Sequence, residues 1–119
     1  MATLSRQKIV LGGLAVSYSA AAVGGDEADN GDGKLFFHVK NAGVGSINVT
    51  VNVVNSSVNV GGYGTASIAS QVVAVANGTE KFIGPFPKQA WNNATTDRVS
   101  LSYSGVSSVT VAALYHDNV

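Results

Sequence analysis

The strongest constraint on the fold of this chain is a strict alternation of apolar and polar residues. The clearest case is the segment SINVTVNVV, in which the apolar residues would share one face and the polar residues the other: Ile47, Val49, Val51 and Val53 against Asn48, Thr50 and Asn52. Successive side chains of a β-strand point to opposite faces, so this period of two predicts a strand with one buried face. We therefore expect β-structure to dominate the fold.

Turn residues between neighbouring alternating segments predict three β-hairpins. The first joins KLFFHVKN to SINVTVNVV through NAGVG. The second joins SQVVAVA to TEKFIG through Asn77-Gly78, a dipeptide that favours a type I′ turn. The third joins DRVSLSYS to SSVTVAALYH around Gly105. We expect the two strands of each hairpin to pair in one sheet.

The whole chain is expected to form one domain over residues 1–119, because it contains no internal repeat or linker. A strand at SRQKIVL and a shorter one near LAVSYS bring the total to about eight, whereas helical periodicity is limited to one turn at PKQAW. We predict an all-β fold, a single-domain antiparallel β-sandwich or jelly-roll-like barrel. Residues 1–13 are a candidate extended N-terminal arm.

Both prolines of the chain lie in the segment KFIGPFPKQAW and predict where a strand ends. Pro85 and Pro87 lack amide hydrogens and favour extended geometry in the preceding residue, so pairing cannot continue through them. Two interpretations of this corner remain open. Either Phe86 plugs one end of the core, which we favour for that residue, or Phe86 and Trp91 lie on an exposed rigid loop that anchors a partner.

Charge and composition disfavour several classes of function. Seven basic and seven acidic residues give a formal net charge of +0, so no global field attracts nucleic acid or an anionic membrane. We expect neither a signal peptide nor a membrane helix, which needs roughly 18 consecutive apolar residues. The absence of cysteine from the sequence excludes disulfides and thiolate metal sites. Charged residues make up only 12%, which suits a surface that another protein covers.

The acidic segment GGDEADNGDG raises the question of a metal site. If Asp26 were the first ligand of an EF-hand, Phe37 would occupy the twelfth position, where a carboxylate is required. We expect a solvated flexible loop. The alternatives are a looser oxygen-ligand site formed by Asp26, Asp29 and Asp32, or contact between these charges and a basic patch on a partner.

Candidate catalytic residues are few. His38 and His116 are the only histidines of the sequence, and it contains neither a nucleophile elbow nor a phosphate-binding loop. We expect His38 to be a strand residue bonded to a neighbour and His116 to be exposed. The chain is therefore predicted to be non-enzymatic and to hold no cofactor or metal ion.

Three segments, FFHVKNAG, EKFIGPFP and SSVTVAALYH, resemble in this order and spacing small structural proteins of tailed bacteriophages, including proteins that decorate capsids. The resemblance covers most of the chain after Lys34. It implies a virion protein on the capsid exterior that binds the major capsid protein and forms a homo-oligomer, with a trimer favoured. The residues expected at the capsid or subunit interface are Leu4, Arg6, Lys8, Ile9, Phe86 and Trp91.

Two further hypotheses accompany this resemblance. The alternation of the N-terminal segment suggests that residues 2–11 lie across a capsid or sister subunit as an added strand. The alternative function is that of a β-sandwich module that binds carbohydrate or a host surface through aromatic side chains. The candidate aromatic residues are Tyr18, Tyr63, Trp91, Tyr103 and Tyr115.

Overall fold

Two β-sheets that enclose a common apolar core form the protein in the computed structural model, which describes residues 1–117. This part of the chain contains twelve strands and one single-turn helix. The strands are β1 (Ala2–Leu4), β2 (Arg6–Ile9), β3 (Ser19–Ala20), β4 (Asp26–Asp29), β5 (Leu35–Asn41), β6 (Ile47–Val51), β7 (Ser57–Val60), β8 (Gly64–Ser67), β9 (Gln71–Val75), β10 (Thr79–Ile83), β11 (Arg98–Tyr103) and β12 (Val109–His116), and the helix is α1 (Lys88–Trp91). The prediction of an all-β, sandwich-like fold is confirmed.

The strand order gives each sheet two distinct edges. The first sheet has the order β1-β4-β11-β6-β9 and the second β10-β5-β12-β2, with the short β3 also paired to β12. Strands β7 and β8 form a separate two-stranded sheet. Most pairings are antiparallel, but β1 runs parallel to β4 and β2 runs parallel to β12. The N-terminal strands thus lie at one edge of their sheets, and β9 and β10 lie at the other.

The core lies between the two sheets and is built from the alternating apolar faces that the sequence indicates. Phe37 and Val39 of β5 and Val49 and Leu101 of the first sheet are fully buried. Burial of apolar surface contributes about 25 cal/mol per Å², so these faces supply most of the driving force for folding. The prediction that Val49 faces inward is therefore correct.

All three predicted hairpins are wrong. Strands β6, β9 and β11 belong to the first sheet. Their expected hairpin partners, β5, β10 and β12, belong to the second. Each connection crosses from one sheet to the other instead of turning back within a sheet. Alternation identifies the face that is buried, but it does not identify the neighbouring strand.

The side chain of Asn41 holds two of these crossing connections together. It is 2% exposed, and its Nδ2 donates to the carbonyl oxygens of Gly45 at 2.9 Å and Val75 at 3.0 Å. Its Oδ1 accepts a hydrogen bond from the Gly43 amide at 3.0 Å, and its own carbonyl accepts one from the Gly78 amide at 2.7 Å. Asn41 therefore satisfies backbone groups that a hairpin would pair with each other.

The turn at Asn77-Gly78 also differs from the expected type I′ geometry. Gly78 has a φ of 73°, whereas Asn77 is not among the residues with positive φ. The Thr79 amide donates to the carbonyl of Ala76 at 3.1 Å. A positive φ at only the third residue of the turn is the pattern of type II, which lacks the twist that joins paired strands of a hairpin.

The acidic segment is not the flexible loop that its composition suggested. Residues Asp26–Asp29 form β4, which lies between β1 and β11 in the first sheet. Asp26 and Ala28 point into the protein, while Glu27 accepts a hydrogen bond from Arg98 at 2.8 Å on the other face. Each carboxylate has a partner, so the strand tolerates its charges.

The N-terminal segment does not form the expected extended arm. Residues 2–4 are paired to β4 and residues 6–9 to β12, so the first nine residues contribute an edge strand to each sheet. Leu4 is half-buried and packs against the core. The added strand predicted for a neighbouring subunit is thus supplied within the same chain.

Candidate functional site

The candidate interface residues lie at two opposite edges of the sandwich. Leu4, Arg6, Lys8 and Ile9 belong to β1 and β2, whereas Trp91 and Phe86 lie beside β9 and β10. The structure does not bring these two groups together. They are therefore two separate surfaces of one chain.

Arg6 is engaged within the chain rather than presented to a partner. Its guanidinium lies 2.7 Å from Asp32 and 3.7 Å from Asp29, and it covers the ring of Tyr115 at 4.2 Å. Partial burial raises the pKa of Asp32, but hydrogen bonds from Arg6 and from the Lys34 amide outweigh it, and the pKa is lowered. Of the candidate interface residues at this edge, Lys8 and Ile9 are exposed.

The proline corner agrees with the first of its two interpretations. Strand β10 ends at Ile83, directly before Gly84 and Pro85. Phe86 is 5% exposed and its ring centroid lies 5.8 Å from that of Phe37, so it plugs the core. Only a small part of Phe86 is accessible in the single chain, where it lines the cleft beside Trp91.

Two buried asparagines hold the proline corner in place through hydrogen bonds. Asn30 donates from Nδ2 to the carbonyl of Phe86 at 3.0 Å and to Oδ1 of Asn92 at 2.7 Å. Asn92 returns a hydrogen bond from Nδ2 to the Asn30 carbonyl at 2.9 Å, and the Leu35 amide donates to Asn30 Oδ1 at 3.1 Å. This pair ties the end of α1 to the loop after β4. No local sequence signal identified it, because the partners are 62 residues apart.

An open cleft of about 330 Å³ lies beside Trp91. Trp91 is half-buried and packs against the core, and Phe82 is 65% exposed. The cleft walls come from both sheets, from the corner and from α1, and the lining is mainly apolar: Val73, Ile83, Pro85, Phe86 and Trp91, with Gln71 at the side of β9. It can accept an apolar side chain or stack a flat ring.

A hydrogen-bonded cluster around His38 lies on the outer face of the second sheet. His38 Nδ1 lies 2.6 Å from the Tyr18 hydroxyl, and Nε2 lies 3.2 Å from Glu80 Oε1. The imidazole stacks on Phe82 at 4.2 Å, and Lys40 covers the Tyr18 ring at 4.5 Å. The expectation that His38 is a strand residue bonded to its neighbours is confirmed, and His116 is exposed as expected.

A second polar pair is buried between the sheets. The Tyr103 hydroxyl donates to Asp26 Oδ2 at 2.7 Å, and the Ala22 amide donates to the same oxygen at 3.2 Å. Asp26 Oδ1 is buried without a hydrogen-bond partner in the described part of the chain. Burial raises the pKa of Tyr103, and its hydrogen bond to the Asp26 carboxylate raises it further.

The structure separates the carboxylates of the looser metal-site alternative. Asp26 points into the core, whereas Asp29 points to the opposite face of β4. Within residues 1–117, no group of three or more His, Cys, Asp or Glu side chains is placed to hold a metal ion. The same residues contain no helix of the length and hydropathy that a membrane crossing requires.

The candidate aromatic platform is also dispersed. Tyr18 covers His38, Tyr103 is bonded to Asp26, and Tyr115 lies under Arg6. Tyr63 is 78% exposed in the turn between β7 and β8 and does not line the cleft of Trp91. These rings share no common face, so any stacking site is limited to the Trp91 cleft.

Three loops at one end of the sandwich contain no charged side chain. The Ala21 amide donates to the Val109 carbonyl and the Ala42 amide to the Ser108 carbonyl, both at 2.9 Å, so three connections lie side by side. We call residues 21–25, 42–46 and 104–108 the uncharged end, because their sequences are AAVGG, AGVGS and SGVSS. Val44 is 101% and Val23 is 86% exposed there. Sequence reasoning missed this surface because it joins three distant turns.

Comparison of the chain with protein-family models, with curated proteins and with solved structures finds no match. Functional inference therefore rests on the residues described above.

Proposed function

We propose that this chain is a non-enzymatic structural protein of a bacteriophage virion that binds the outside of the capsid and stabilises the shell. Two observations support the proposal. Three segments of the sequence resemble small head proteins of tailed phages, and the uncharged end presents exposed valines on small-residue loops. The proposal includes two interactions. The chain binds the major capsid protein, and it also forms a homo-oligomer with further copies of itself.

The uncharged end carries the proposal because its composition matches the centre of a protein–protein interface. Charged residues are depleted at such centres, and contiguous exposed apolar surface marks sites that another protein covers. Val23 and Val44 protrude from loops of Gly, Ala and Ser, which allow close approach of a partner backbone. Repetition over a symmetric shell adds many such modest contacts into stable attachment.

The first experiment measures copy number. Quantitative mass spectrometry of purified virions would compare this chain with the most abundant shell protein. We expect a ratio near a simple fraction of the shell lattice. Absence of the chain from intact particles would overturn the proposal.

Substitutions at the uncharged end test the surface itself. Val44→Asp places a carboxylate on a fully exposed position, so the fold should persist while binding to purified capsids falls at least about tenfold. Val60→Asp is the matched control, because Val60 is 43% exposed but lies in β7 outside this surface. Equal binding by the two variants would exclude the uncharged end as the contact.

A second candidate function rests on the Trp91 cleft. A half-buried indole beside Gln71 fits the apolar face and hydroxyls of a sugar ring. Glycan-array binding by the wild type that is lost in Trp91→Ala, with folding verified by circular dichroism, would favour carbohydrate binding over capsid decoration.

A further inference from the structure

The exposed edge of β9 differs from the other edges of the two main sheets. Strand β10 carries Glu80 and Lys81, β2 carries Arg6 and Lys8, and β1 has only three residues. Strand β9 has five residues, QVVAV, with no charge and no proline. Proteins protect free edges with charges, prolines or short strands, so β9 is the edge of the two main sheets that remains open to another strand.

The register of the first sheet identifies which backbone groups β9 presents. The Ser104 amide donates to the Asn48 carbonyl at 2.9 Å and the Asn52 amide to the Ser100 carbonyl at 3.0 Å, so even-numbered residues of β6 face β11. Odd-numbered residues of β6 therefore face β9, where Val49 is opposite Val73. The backbone groups of Val72 and Ala74 consequently point away from the sheet.

These outward groups are almost free of partners. Within the described chain, the amides of Val72 and Ala74 and the Ala74 carbonyl have no hydrogen-bond partner. The Val72 carbonyl accepts only a 3.3 Å hydrogen bond from its neighbour, Gln71 Nε2. The side chain of Val72 is 53% exposed. An added strand would supply the missing hydrogen bonds.

We propose that β9 pairs antiparallel with β9 of a second copy of this chain, so that the two first sheets join across a two-fold axis. The register follows from the outward positions. Val72 of each copy pairs with Ala74 of the other copy. The two Val73 residues then lie opposite each other at the axis. All four backbone hydrogen bonds of the two outward pairs are then formed. The cross-strand neighbours are Val with Ala and Val with Val, so no like charges meet.

This pairing would also affect the cleft beside Trp91. Gln71 and Val73 line the cleft, and a second strand in the same sheet projects its corresponding residues to the same side. Association therefore covers the mouth of the cleft and changes the surroundings of Trp91, the single tryptophan of the sequence. The inference does not depend on the proposed function, because it rests on the free edge alone.

Cysteine cross-linking tests the register directly, because the sequence contains no cysteine. In Val73→Cys, the two introduced residues would form a non-hydrogen-bonded pair with Cα atoms about 4.5 Å apart, which a disulfide can bridge. In the matched variant Val72→Cys, the two thiols would lie on a diagonal of about 7–8 Å, beyond that reach. We expect mild oxidation to give covalent dimer at least about tenfold faster for Val73→Cys. Equal rates would overturn the register.

A charge-pair design gives an independent test that leaves the core untouched. Val72→Lys should convert the dimer to monomer in sedimentation equilibrium, while Asn48→Lys, on the same exposed face one strand inward, should leave it dimeric. The double variant Val72→Lys/Ala74→Glu should regain the dimer, because each lysine then faces a glutamate of the other copy.

Two outcomes separate this inference from the capsid proposal. A wild-type chain that is trimeric, or monomeric at every concentration, overturns the β9 pairing and leaves capsid binding untouched. A dimer that fails to bind capsids supports the pairing and contradicts the proposed function.

Discussion

Three buried asparagines hold the connections between strands in place through hydrogen bonds, as short hairpin turns do in simpler β proteins. Asn30, Asn41 and Asn92 are exposed by 0%, 2% and 7%. Each amide offers two donors and an acceptor, so it can satisfy backbone groups that the crossing connections leave unpaired. Their role could not be predicted from the sequence, because exposed asparagines such as Asn59 occur in the same valine-rich context.

Replacement of Asn41 by alanine should lower the free energy of unfolding by about 3 kcal/mol, because the buried carbonyl of Val75 and the backbone groups of Gly43 and Gly45 lose a partner. Urea denaturation followed by far-ultraviolet circular dichroism would measure the change. Asn59→Ala is the matched control on the surface and should stay within about 0.5 kcal/mol of the wild type. Similar losses in both variants would contradict the role assigned to Asn41.

The buried Tyr103 hydroxyl should make stability depend on alkaline pH. Its pKa in the folded state is raised above the ordinary value of 10.0, so the folded protein keeps the proton that the unfolded chain loses. The stabilisation is therefore complete below pH 10.0 and declines as the pH rises above it. Above pH 10.0 the wild type should lose stability with rising pH more steeply than Tyr103→Phe. Parallel pH profiles in urea denaturation would exclude this coupling.

At the scale of the elements, the sequence predicted strands and their buried faces but not their partners. Val49 and Val51 point inward as their alternation indicates, and so do Val99 and Leu101. Their pairing depends on which sheet each strand enters, and that choice is made by distant contacts such as the hydrogen bond from Asn41 to Val75. The strand Asp26–Asp29 was missed because the donors to its carboxylates are remote in sequence: Arg98 for Glu27 and the Tyr103 hydroxyl for Asp26.

The candidate site was predictable only in part. The proline corner, the buried Phe86 and the single turn of α1 follow from local chemistry, because proline ends pairing and favours a new direction of the chain. The cleft at Trp91 and the uncharged end could not be predicted, since each is assembled from segments that only the tertiary fold brings together.

The end of β10 depends on a glycine that has no room for a side chain. Gly84 has a φ of 135°, and a Cβ there would lie 2.8 Å from Cβ of Phe36. Gly84→Ala should therefore lower the free energy of unfolding by about 2 kcal/mol or more, through backbone strain and displacement of β5. Gly61→Ala is the control, because Gly61 has open space and no positive φ. Thermal unfolding that shows equal stability for the two variants would contradict this account.

At the scale of the whole molecule, the N-terminal segment links the two sheets. Strand β1 closes one edge of the first sheet and β2 one edge of the second, with only Ser5 between them. Leu4 reaches the core, and Arg6 ties β2 to Asp32 in the loop after β4. These contacts make the segment part of the domain and not an appendage of it.

Deletion of residues 1–9 should therefore destabilise the entire domain. Loss of Leu4 burial and of both edge strands should lower the free energy of unfolding by about 3 kcal/mol or more, and the uncovered edges of β4 and β12 should promote aggregation. Urea denaturation and size-exclusion chromatography would measure the two effects. Arg6→Gln removes the ion pairs to Asp29 and Asp32 and the contact of the guanidinium with the Tyr115 ring but keeps both edge strands. It should cost less than about 1 kcal/mol, so it separates strand pairing from charge. A truncated chain with the wild-type urea midpoint would show that these strands add nothing to the fold, and would restore the hypothesis of an arm that pairs with a neighbouring subunit.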